Sequence, residues 1–128
     1  MALARTDLTA VTQVGQATTS VIVTCAAQGG VAQTCYVKSI MIYNPDFDHV
    51  QNVDIHIVPN SGGSAGSVST VTRIARIGIQ TSDTFFFEPA YPIVLTKTGD
   101  TLQIGNQGDE NGLADNSINV YATGDIDL

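Results

Sequence analysis

"PIVLTKTGDTLQI", residues 92–104, places two apolar runs on either side of Gly99-Asp100. Ile93 and Leu95 before that pair, and Leu102 and Ile104 after it, recur at every second position, the period of a half-buried β-strand. Glycine gives the backbone freedom a tight reversal needs, and aspartate can hydrogen-bond its own main chain there. The stretch therefore reads as strand, tight turn, strand. It carries no metal-ligand set and no paired nucleophile and base.

The same texture continues in both directions. "SVIVTC" (20–25), "QTCYVKSIMIY" (33–43), "VQNVDIHIVP" (50–59), "STVTRIARIGIQ" (69–80), "DTFFFEPAYPIVL" (83–95) and "SINVYATGDI" (117–126) are short and rich in β-branched or aromatic residues. Loop chemistry separates them: "NPDFDH" (44–49), "NSGGSAGS" (60–67) and "QGDENGLAD" (107–115). No window carries a helical period. Seven or eight short strands with turns between them predict an all-β chain, an antiparallel sandwich or barrel. Alternation assigns the core to Val21, Val23, Ile40, Ile42, Val53, Ile55, Ile57, Ile93, Leu95, Leu102, Ile104 and Val120. In residues 33–43 apolar side chains fall on both faces: Tyr36, Ile40 and Ile42 on one, Val37, Met41 and Tyr43 on the other. That pattern predicts a strand covered on both sides. The alternation slips near Arg73-Ile74, where a bulge is expected.

Residues 1–19 differ. They are small and polar, and predict an extended N-terminal arm that needs a neighbour to order it and is dispensable for folding. Residues 20–128 then form the β-sandwich domain. Leu3, Leu8, Val11 and Val14 are spaced along the arm like anchors for a partner, through pairing with an exposed sheet edge.

Composition narrows the function. The chain has 128 residues, enough for one domain with a real core. Only 13% are charged, about half of the usual ~25%, which suits packing against other copies or a larger body. Twelve acids against five bases give a net charge of -7. Such a chain suits neither phosphate backbones nor anionic membranes. The N-terminal "MALARTDLTAVTQ" lacks the apolar stretch of a secretory signal, so synthesis in a cytoplasm is expected.

The candidate chemistry is thin. Cys25 and Cys35 flank "AAQGGVAQ"; a hairpin would let them face at bridging distance, whereas a cytoplasmic origin favours reduced thiols. Asp46, Asp48 and His49, and separately Asp109, Glu110 and Asp115, make oxygen-rich loops whose spacing does not fit a calcium loop. His56 sits on the polar face of a strand. Glu88 has apolar neighbours on both sides and reads as an acid guarding an edge strand. No serine occupies a nucleophile elbow and no glycine loop has phosphate-binding form. The reading is of no enzyme, with no catalytic, cofactor-binding or metal residues and no cofactor. Phe85, Phe86 and Phe87 cannot all face one way, so Phe85 and Phe87 are candidates for contact with a neighbouring subunit.

In order and spacing, "VKSI" (37–40) with Asn44, "VDIHIVP" (53–59) followed by a Gly/Ser loop, "PIVL" (92–95), "GDTL" (99–102) and "INVYATG" (118–124) resemble a family of small virion proteins of tailed bacteriophages. The resemblance spans residues 20–126. It implies a jelly-roll-like β-sandwich serving as a head decoration, or cement, protein, or alternatively as a tail, neck or head-fibre component. It implies a homotrimer bound to the major capsid protein on the outer surface of the head, made in the host cytoplasm. It implies no nucleic-acid or membrane partner and no enzymatic activity. The cysteine pair is no part of that pattern. A second alternative, from another class, is a carbohydrate-binding jelly-roll module.

Overall fold

The computed structural model describes residues 3–7, 11–15, 17–25, 34–61, 64–96, 99–108 and 117–127. Its strands are β1 (Leu3–Asp7), β2 (Thr12–Val14), β3 (Thr18–Thr24), β4 (Cys35–Tyr43), β5 (Gln51–Val58), β6 (Asn60–Ser61), β7 (Ser64–Ala65), β8 (Arg73–Ile79), β9 (Thr84–Phe87), β10 (Ile93–Leu95), β11 (Thr101–Gly108) and β12 (Ile118–Asp127). Among these residues no helix is long and apolar enough to cross a membrane.

Two antiparallel sheets form the sandwich. In the first, β12 and β4 lie side by side, β1 and β2 pair with different stretches of β12, and β9 and β10 pair with different stretches of β4. The second has the order β3-β11-β5-β8. Counting each interrupted edge as one strand, four positions face four. The chain changes sheet at nearly every connection, which is the wiring of a jelly roll. The sandwich expected from alternation is the observed fold.

Three local readings are corrected. First, 92–104 is no hairpin: β10 belongs to the first sheet and β11 to the second. Gly99-Asp100 is the corner where the chain crosses between them. Gly99 has φ +107°, a conformation that favours glycine, and its N–H donates to the Cys25 carbonyl at 2.6 Å. Asp100 holds the corner, with Oδ1 accepting from the Asn60 amide at 2.9 Å and Oδ2 from the Thr96 amide at 3.1 Å.

Second, bulges shift the faces. Along β4, Ser39 lies opposite Thr123 but Val37 opposite Gly124, so Lys38 is the extra residue. Cys35, Val37, Ile40 and Ile42 then all face the core, and Tyr36 turns outward in place of Val37. A second bulge makes Ile22 the extra residue of β3; Ile22 is buried, and Val21, assigned to the core from alternation, is 46% exposed. Ile57 and Ile93 are only partly buried, packing against the core from its margin. The bulge expected near Arg73-Ile74 is present, with Ile74 the unmatched residue between Ala75 and Arg73.

Third, the arm is drawn into the sandwich. β1 and β2 both pair with β12 of the same chain, and the Val14 side chain is fully buried in the core. Burial of one such side chain contributes roughly 1.5–3 kcal/mol. Val14 also offers its carbonyl to the Asn106 side-chain amide at 3.2 Å. Its contacts are those of a core strand, and the boundary at residue 19 falls inside β3.

Candidate functional site

Alternation gives each sheet an inner and an outer face, and the two outer faces differ in chemistry. On the first sheet Met41 of β4 lies between Phe86 of β9 and Tyr121 of β12. Beside this row, Tyr36 stands opposite Val94 of β10, and Tyr43 closes the end of β4. Phe86 is 58% exposed, Val94 48% and Tyr43 39%. The solvated face of an antiparallel sheet ordinarily carries polar residues. Here an aromatic and thioether row crosses three strands. Tyr91, in the bend between β9 and β10, is exposed at the edge of the same sheet. Next to the row, Lys38 at the β4 bulge forms an ion pair with Asp125.

On the outer face of the second sheet Val21 of β3 stays 46% exposed, but the part over β5 and the start of β11 is covered. Residues 66–72 return over it: Gly66 O accepts from the Gln103 side-chain amide at 3.3 Å, and the Thr72 carbonyl accepts from the Ile57 amide at 3.0 Å. Asp54, His56, Val58, Thr101 and Gln103 are all buried there. Asp54 receives a two-pronged contact from Arg76, Nε to Oδ1 at 2.7 Å and Nη2 to Oδ2 at 2.9 Å. Arg73 approaches Oδ2 at 3.7 Å. The Arg76 hydrogen bonds, more than the neighbouring charges, hold the Asp54 carboxyl below the usual carboxylate range. Thr72 Oγ1 donates its proton to the Ser69 carbonyl at 3.0 Å and accepts from the Ser69 amide at 2.9 Å. It also lies 2.9 Å from His56 Nδ1, within hydrogen-bonding distance. Burial pushes the His56 pKa down, aided by Arg73 and Arg76 and opposed by Asp54.

A third feature braces one end of the sandwich. Buried Asn44 donates to the carbonyls of His49 and Ile79 at 2.9 and 3.1 Å and accepts from the Asp46 amide at 3.0 Å. Asp46 accepts from the Asp48 amide at 2.7 Å and meets His49 Nδ1 at 3.0 Å. The "NPDFDH" loop is thus a closed network tied to the β8–β9 connection, with Phe47 exposed at its tip. Among the described residues no three His, Cys, Asp or Glu gather as metal ligands.

The residues predicted to meet a partner disperse. Leu3 lies in β1 opposite Asp127, and Leu8 falls outside the described residues. Val11 is 68% exposed, whereas Val14 is core. Phe85 and Phe87 pack partly buried against the core, and the outward member of the triplet is Phe86. Parity alone left the direction of the triplet open. Pairing of Phe86 with Met41 decides it.

No protein-family model matches the chain, and no curated protein matches it. Among solved structures it is similar to a chain in "Structure of infectious bursal disease virus Gx strain", at 10% identity and a TM-score of 0.49. The alignment covers 98% of this chain and 31% of that one, so this chain spans about a third of the other's length.

Proposed function

We propose that this protein is a structural component of a tailed-bacteriophage virion, a decoration protein that binds and stabilises the assembled head shell. The observation that carries the reading is the Phe86–Met41–Tyr121 row on the outer face of the first sheet. It offers an apolar docking surface that crosses three strands, whereas the outward side chains of β5 are buried. The order of motifs in residues 20–126 supplies the family, the trimer and the capsid partner. In this reading the protein is no enzyme.

The work done is thermodynamic. A subunit that binds the assembled shell but not free capsid protein shifts the equilibrium toward the intact shell by mass action. Three linked copies add avidity, so modest contacts per copy suffice.

Imaging particles that carry or lack the protein tests the reading. Density on the head lattice that disappears with the protein supports it. Density at the tail or neck favours the alternative of the same fold, and absence from particles overturns both. In rebinding to purified shells, Phe86→Ser should lose about tenfold or more in affinity, as expected for a central aromatic contact. Exposed Phe47 and Tyr91 keep the carbohydrate-binding alternative testable: a glycan array should show no signal.

A further inference from the structure

Cys25 directly follows β3 of the second sheet, and Cys35 is the first residue of β4 in the first. Their side chains meet between the sheets: Cys25 is fully buried, Cys35 is 4% exposed, and the two thiols share a hydrogen bond. Both are free. Each backbone is fixed independently. Cys25 donates to Asp100 O at 2.9 Å and accepts from Gly99 N at 2.6 Å. Cys35 is paired opposite Leu95 on one side and Ile126 on the other.

We infer that Cys25 and Cys35 are a redox-convertible pair that closes, in the presence of a small-molecule disulfide such as oxidised glutathione, into a covalent staple between the two sheets. The chemistry balances as two exchanges. One cysteine thiolate attacks the glutathione disulfide, breaking its S–S bond and releasing one glutathione thiolate. The second cysteine thiolate attacks the mixed disulfide, forming the Cys25–Cys35 bond and releasing the other glutathione. The protein loses two protons and two electrons, and the oxidant becomes two reduced thiols.

Burial also sets the rate. It raises the Cys35 thiol to about 12, assisted by its hydrogen bond to Cys25, and the thiolate is the reactive form. The folded, reduced protein therefore resists oxidation at neutral pH, and conversion proceeds mainly during folding or local opening. The strands already hold both cysteines in place, so the staple adds persistence and leaves the fold unchanged. This inference does not depend on the shell-binding reading.

The test is to refold the protein from denaturant in a mixture of oxidised and reduced glutathione, then alkylate it under denaturing conditions and weigh it. The expected product is a single chain with neither cysteine alkylated, lighter than the reduced chain by two hydrogen atoms. It should melt at a higher temperature than the same sample after reduction, because the cross-link restricts the unfolded chain. Cys35→Ser, treated identically, should instead carry one glutathione on Cys25. The native reduced protein should convert more slowly than the refolding one. Two alkylated cysteines, a glutathione on each, or bridges only between chains would overturn the inference. So would a bridge that lowers the melting temperature.

Discussion

His56 is held neutral beneath the 66–72 segment, with Thr72 on its Nδ1 and two arginines near enough to disfavour a further positive charge. The unfolded chain has no such restraint, so it takes up a proton at higher pH than the native chain does. Below the ordinary value of 6.5, the unfolded state binds more protons, and stability falls as pH falls. The loss ends at the lower, native pKa. One proton limits the slope to about 1.4 kcal/mol per pH unit. Asp54 acts in the same sense further down: its native carboxyl also lies below its ordinary 3.8, so its contribution, complete above that value, is lost in stronger acid. His56→Gln should therefore flatten the melting temperature between pH 7 and pH 5 relative to the parent. An unchanged pH profile would place that slope on other groups. At Gly99 an added Cβ would sit 2.7 Å from Asn60 Nδ2 and 2.8 Å from its Cγ, at φ +107°. Gly99→Ala should cost about 1–3 kcal/mol in urea unfolding, and a neutral result would show that the corner relaxes.

At the scale of elements, the interrupted edges deserve a test. β2 supplies Val14 to the core and pairs with Ile118–Val120 of β12, so deleting residues 2–16 removes a core side chain and uncovers that edge. The deletion should cost at least about 1.5–3 kcal/mol, the worth of Val14 alone. A dispensable arm would leave denaturation unaffected, as composition suggested. The β4 bulge has a comparable reach. By adding Lys38 it returns Val37 to the core beside Ile40 and Ile42, and it leaves Tyr36, Met41 and Tyr43 on the outer face.

Over the whole molecule, charge opposes self-association. The net charge is -7, and Lys38, Arg73 and Arg76 are already engaged with Asp125 or Asp54. Copies of the chain therefore repel one another at long range. Self-association should strengthen as salt screens the repulsion. Analytical ultracentrifugation at low and high ionic strength should show the proposed trimer gaining population with salt. Association that weakens with salt would point to ionic contacts instead.

The alternation of Val53 and Ile55, of Leu102 and Ile104, and of Ile40 and Ile42 was legible in the sequence, because a strand's side-chain period of two is local geometry. So was the absence of helix among the described residues, and so was the slip at Ile74. Parity is a relative measure, however, and each bulge resets it. Val21, Val37 and the phenylalanine triplet could be assigned to a face only once β11, β12 and β4 supplied the partners. Gly99-Asp100 announced a turn, but whether that turn joins two strands of one sheet or crosses to the other depends on what β10 and β11 pair with. Val14 looked isolated in a polar segment because its neighbours, β12 and Asn106, lie some ninety residues or more further along the chain. Asp54 and His56 occupied the polar face as alternation required; Arg76 and Thr72, which the fold brings against them, decided that they are buried there. Local periodicity determined the strands, and long-range pairing decided which of their faces remained exposed.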